Sequence, residues 1–284
     1  MDQYNVLDKI KRTRSDQVII FKDNHKLITY MNKSTFIPIQ SITKFFVGLA
    51  IGILYTDKLI QLEDPVNKYL NKFPHPHITI LNLLTHTSGL EYDYSTKING
   101  HWVLTETAKK FEDWNISFDD FVYGLKKIDR RGIYHYNNFT ANILTLIIRT
   151  ITGLDVDQYL DEKFFRLIGF KYTWLKKNGI CFGPYGLSTD ANNLLLIGKV
   201  LIDNGMHNGK RIISSKYLHL QRLNYINSHG LFSENISGLN GHTGADGQYF
   251  FYNKKHRIII IRLVEIGDNK LYPNFIPDIL KYLH

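Results

Sequence analysis

Cysteine is nearly absent: Cys181 is the single one among 284 residues. One thiol excludes an intramolecular disulfide and any all-cysteine zinc site. Proline and glycine are sparse, at 7 and 20, which excludes collagen-like and low-complexity classes. Long apolar runs are missing as well. The longest, residues 45–55, falls short of the ~20 residues needed to cross a bilayer, so no membrane span is expected. Charge is not strongly clustered. Basic residues outnumber acidic ones 35 to 26, a net +9, but the densest basic stretches, 9–14 and 254–257, are short. No recognition motif accompanies them, so no nucleic-acid partner is expected. Nor does a secretory signal open the chain: Met1-Asp2-Gln3-Tyr4 is polar, with no basic segment leading into an apolar one. As written, the chain is expected to be cytoplasmic, or periplasmic or secreted if a leader has been removed.

What is present describes a globular chain with a sizeable core. Hydrophobic residues make up 44% and aromatics 13%, far too much for a disordered segment. Residues 18–22 and 26–30 are β-rich runs joined by Asp23-Asn24-His25, which predicts a hairpin. Residues 41–59 are apolar on nearly every helical face, the pattern of a buried central helix. Helical segments follow at 78–85, 140–151, 157–167 and 189–203, broken by glycine and asparagine. Residues 248–252 and 257–265 read as a second hairpin, and 273–284 as a closing amphipathic helix. The expected fold is α/β. One antiparallel sheet is built from both ends of the chain (1–62 and 205–284) and flanked by terminal helices. An all-helical subdomain (63–204) is inserted in the middle.

Ser41-Ile42-Thr43-Lys44 is the first chemical candidate. Three residues apart at a helix start, Ser41 and Lys44 share one face, one turn apart. The amine can then take the hydroxyl proton, and burial would make it a better base. The first helical turn also offers backbone N–H groups to a developing oxyanion. Tyr136-Asn137-Asn138 is the second candidate: a tyrosine can shuttle a proton, and an asparagine can position an amide. The third is the run from Gly241 through His242, Thr243, Gly244 and Ala245 to Gln248, just before a strand. Its glycines allow close approach to the backbone.

Read in order, Ser41-x-x-Lys44, Tyr136-x-Asn138 and His242-Thr243-Gly244 resemble the three motifs of the serine β-lactamase-related superfamily. They are most similar to its class C branch of AmpC-type β-lactamases, D-alanyl-D-alanine carboxypeptidases, esterases and 6-aminohexanoate-oligomer hydrolases. Leu83-Leu84-Thr85-His86-Thr87-Ser88-Gly89-Leu90, residues 57–66, Gly186-Leu187-Ser188-Thr189-Asp190 and residues 204–213 resemble further landmarks of that branch. The resemblance implies a serine hydrolase, with its active site in the cleft between the sheet domain and the helical subdomain, that forms an acyl-enzyme on an ester or amide. Ser41 would be the nucleophile, with Lys44 and Tyr136 sharing the proton work and Asn138 contacting the acyl-side amide. The backbone N–H groups of Ser41 and Ala245 would form the oxyanion hole, and His242, Thr243 and Gly244 would line the substrate. The competing expectation is a catalytically weak binding or sensor protein of the same fold that stays acylated. Where β-lactamases carry lysine in the third motif, this chain has His242, which predicts poor β-lactam hydrolysis.

No cofactor or metal is expected. His75-Pro76-His77 lacks further clustered ligands and reads as a loop. His86 resembles the scaffold histidine of the branch's Thr-His-Thr-Ser-Gly landmark, which implies a structural role, and Cys181 reads as a small core residue. Tyr92, Tyr94, Trp102 and Trp114 either line the cleft or belong to the helical core.

Overall fold

A computed structural model describes residues 2–92, 94–98, 101–112, 116–128, 131–265 and 272–283. The side chains of residues 94–98, 101–104 and 110–112 are outside this description.

Both ends of the chain meet in one sheet. Strands β1 (Gln17–Lys22) and β2 (His25–Met31) form the first hairpin. From the other end come β3 (Glu234–Ile236), β4 (Leu239–Gly244), β5 (Gln248–Asn253) and β6 (Ile258–Leu263). The order is β3-β4-β5-β6-β1-β2, with every neighbouring pair antiparallel. At its centre β1 pairs with β6, Ile19 opposite Ile261. Both strands are mostly apolar and buried on both faces, because helices cover the sheet on both sides.

Helix α1 (Gln3–Arg12) and a C-terminal helix (Phe275–Leu283) cover one face. Val6 and Ile10 from α1 join Val18, Ile20, Phe251 and Ile279 in a core of their own. Of the two flanking helices, the sequence delimits only the C-terminal one by residue. The first is mostly polar, and its sequence signal is the cap: the Asp2 side chain accepts the Asn5 N–H.

The other face carries the main core and α2 (Ile42–Thr56), buried at every position from Ile42 to Leu54. It ends three residues earlier than its composition predicts, where Lys58 turns left-handed at φ 60°. Helix α3 (Phe139–Thr152) stops at Gly153 with φ 72°, a conformation that favours glycine. Helix α4 (Ala191–Ile202) is capped by Asp190 and lays Gly198 on Ile259 of the sheet. Helix α5 (Ser215–Arg222) packs on α2, where the Tyr217 hydroxyl donates to Gly48 O at 2.6 Å.

Three local expectations change. The segment 78–85 is helical only over Ile80–Leu84, and 157–167 lies in a run interrupted by a π turn at Asp161–Phe165. The segment 63–204 is not entirely helical. It contains the hairpin Tyr94–Ile98 with His101–Leu104, and Leu187–Thr189 pairs with Ile37–Pro38 just ahead of Ser41. The third motif lies within strand β4 rather than in a loop before a strand. Its glycine content hides the strand: a Cβ at Gly241 would stand 2.0 Å from Phe250 O, so the close strand approach demands glycine.

Candidate active site

Ser41 stands directly before α2, at φ −62° and ψ −12°, and its side chain makes no capping bond. A serine at this position ordinarily spends its oxygen on the first helical turn. Here the oxygen stays available, and Lys44 Nζ lies 3.3 Å from it. Lys44 is fully buried. Its amine donates to Pro184 O at 2.9 Å and stands 4.8 Å from the Tyr136 ring centroid. Thr43, between them in sequence, fixes the same segment from the other side. Its Oγ1 accepts the N–H groups of Gly186 and Leu187, each at 3.3 Å. The sequence gives no sign of Pro184, because the group used is a backbone carbonyl far along the chain.

Tyr136 and Asn138 flank a pinned residue. Asn137 is buried, receives the Phe139 N–H on Oδ1 at 2.8 Å, and donates through Nδ2 to Glu91 O at 2.8 Å. Its own N–H donates to His86 Nδ1 at 3.2 Å. Asn138 then occupies the position before α3. The His86 ring lies 4.7 Å from that of Tyr136. Burial, then the nearby charge of Lys44, holds His86 well below the ordinary histidine pKa, so it is a neutral acceptor for Asn137. Tyr92 stacks on His135, next to Tyr136. Trp114 lies outside the described residues, as do the side chains of Tyr94 and Trp102.

The third motif approaches from the sheet. A Cβ at Gly244 would come 2.6 Å from Ile39 O, two residues before Ser41, so glycine lets the strand close on the nucleophile segment. His242 is only 2% exposed, and its Nδ1 lies 2.5 Å from Thr243 O. Burial lowers its pKa; Glu234 opposes this and Lys44 adds to it. Glu234, which sequence reasoning missed, accepts the Thr243 hydroxyl at 2.9 Å and the Thr243 N–H at 3.2 Å. Thr243 N–H therefore points away from β5. Ala245 follows the strand directly, is exposed, and opens a short 3-10 turn.

Non-glycine residues in the left-handed region accompany all three segments: Gln40 at φ 53°, His86 at 56° and Asp246 at 64°.

Elsewhere, His75 Nε2 lies 2.7 Å from Leu125 O, a structural bond. Among the described residues, Asp155, Asp157 and Cys181 bring their ligand atoms within 4.8 Å of one another. The Lys176 ammonium already sits there, 2.9 Å from Asp157 and 3.3 Å from Asp155. Cys181 is buried, and burial, followed by Asp157, pushes its thiol pKa up, so it is a poor nucleophile. No single described helix is long and apolar enough to cross a membrane.

Known proteins share this architecture. The chain is 24% identical over 143 residues to penicillin-binding protein 4* of Bacillus subtilis (strain 168), covering 50% of this chain and 31% of that protein. It is 20% identical over 239 residues to the 6-aminohexanoate-dimer hydrolase of Paenarthrobacter ureafaciens, covering 74% of this chain and 57% of that protein. The chain thus spans well under two thirds of the length of these relatives. The solved penicillin-binding protein from Bacillus halodurans matches with a TM-score of 0.75 at 14% identity, over 98% of this chain and 100% of that one. That likeness establishes the shared fold. The model of the family described as Beta-lactamase matches residues 7–181, more than half of the sequence, and the chain belongs to the beta-lactamase family.

Proposed function

We propose that this protein is a serine hydrolase that cleaves an ester or amide through an acyl-enzyme on Ser41. The observation that carries the reading is the buried Lys44 amine, 3.3 Å from Ser41 Oγ and held there by Pro184 O. A lysine one turn after a serine is common; one buried against that hydroxyl and beside a tyrosine ring is a proton-transfer arrangement.

The steps follow from that geometry. Lys44, with Tyr136, takes the hydroxyl proton as Ser41 Oγ bonds to the substrate carbonyl carbon. The oxyanion is received by the N–H groups of Ser41 and Ala245. The tetrahedral species collapses, the leaving group takes the proton from the Lys44–Tyr136 pair, and the acyl-serine remains. Asn138 holds the acyl-side amide. Water, deprotonated by the same pair, then frees the acid and regenerates Ser41. His242 replaces the fixed cation of a Lys-Thr-Gly motif, so neutral esters and amides are preferred over β-lactams, whose carboxylate needs that cation.

The test is a pre-steady-state time course with p-nitrophenyl acetate alongside nitrocefin. The expected result is release of p-nitrophenol that continues over many turnovers, with nitrocefin the poorer substrate in kcat/KM. Release of one equivalent followed by no turnover would favour an acylatable binding protein. Faster turnover of nitrocefin would overturn the substrate preference.

A further inference from the structure

Glu234 gives the third motif a charge its sequence does not show. One carboxylate oxygen receives the Thr243 hydroxyl at 2.9 Å, and the other receives the Thr243 N–H at 3.2 Å. The hydroxyl proton is thereby spent on Glu234. Thr243 Oγ is left facing its surroundings as an acceptor, where it would otherwise donate to an anion. The side chain of Glu234 is only 13% exposed, so little water screens it. Glu234 belongs to β3, which pairs with β4 on the edge away from β5. It lies 3.6 Å from His242 Nδ1, and that ring stands close enough to Lys44 for the amine's charge to add to the lowering of its pKa by burial. In the reaction proposed above the leaving group takes its proton from Lys44 and Tyr136, so it would depart near this carboxylate. The neighbouring His242 imidazole is buried and adds no fixed positive charge.

Resting on the serine-hydrolase reading above, we infer that Glu234 is a specificity-determining residue that selects substrates whose leaving group carries a cation, such as an ammonium. A carboxylate-bearing leaving group would meet Glu234 and be repelled. A cationic one would find a desolvated partner.

Three thioesters of the same acetyl group test this: acetylthiocholine, S-ethyl thioacetate and S-acetylmercaptoacetate, with cationic, neutral and anionic leaving groups. Ser41 attack breaks the C–S bond, the thiol leaves with the proton, and a disulfide dye reads each thiol. Intrinsic thiol reactivities differ, so the informative quantity is the ratio of Glu234→Gln to wild type for each substrate. The expected result is a roughly tenfold fall in kcat/KM for the cation, the size of one partly screened charge pair. The neutral ester should lose less than the cation, and the anion should gain relative to the neutral ester. Glu234→Asp, which keeps the charge, should keep the wild-type order. A structural role alone would lower all three substrates alike, and that outcome overturns the inference. If Ser41 is not acylated by any ester or by a fluorophosphonate, the hydrolase reading fails and this one with it. If Ser41 is acylated without charge selectivity, only the present inference fails.

Discussion

Replacing Lys44 by methionine separates its chemical role from its structural one. Methionine keeps the length of the stem and fills the same fully buried space. It deletes the amine that reaches Ser41 Oγ at 3.3 Å and Pro184 O at 2.9 Å. The chemical loss is that of a positioned base, about 10²–10⁴ in rate, or roughly 3–5 kcal/mol of barrier. The structural loss is smaller. Stranding a buried carbonyl costs roughly 1–3 kcal/mol. Against this, an ionisable group no longer has to be buried, which offsets part of that cost. The net change in unfolding free energy is therefore about 0–2 kcal/mol, and the variant should fold. The assay pairs ester hydrolysis with urea unfolding on the same preparation. The expected outcome is a rate down at least a hundredfold in a protein that remains folded. Activity within tenfold of wild type, in a folded variant, would refute the assignment of Lys44 as the base.

Two further outcomes test the packing and the buried histidines. His86 and His242 both have pKa values held below 6.5, chiefly by burial, so the unfolded chain binds protons that the folded one refuses. Stability from this source is fully present above about pH 6.5 and is lost as pH falls, by up to about 1.4 kcal/mol per pH unit for each histidine. Unfolding free energies measured from pH 7.5 to 5 should decline below about pH 6.5, and less steeply in His242→Gln; identical slopes would contradict it. Gly52→Ala should destabilise, because the new methyl would lie 2.4 Å from the ring of buried Tyr217. Overpacking of roughly 1–3 kcal/mol outweighs the helix-propensity gain of about 1, and a raised melting temperature would show that the helices can part at no cost.

Much of this architecture is legible in the residues, and the exceptions share a cause. The β1 and β6 strands announce themselves because both are buried on both faces and carry the apolar runs Val18–Phe21 and Ile258–Ile261. The buried α2 is visible for the same reason. Strand β4 is not, since Asn240, Gly241 and Gly244 are poor strand formers, present where backbone or ligand must come close. With β4 unseen, its pairing with β3 is unseen too, and Glu234 cannot be placed beside Thr243. The Ser41–Lys44 relation is local, so three-residue spacing suffices to find it. The contacts that finish the site are not local. Pro184 O lies 140 positions from Lys44, and Asn137 meets His86 across 51. No periodicity carries such information; only the closed chain does.

Intact-mass spectrometry after treatment with a fluorophosphonate tests the central claim most directly. Wild type should gain the mass of one label, and fragmentation should place it on Ser41. Ser41→Ala should gain none, and Lys44→Met should label far more slowly than wild type. Equal labelling of Ser41→Ala, or a label found on another residue, would contradict the account.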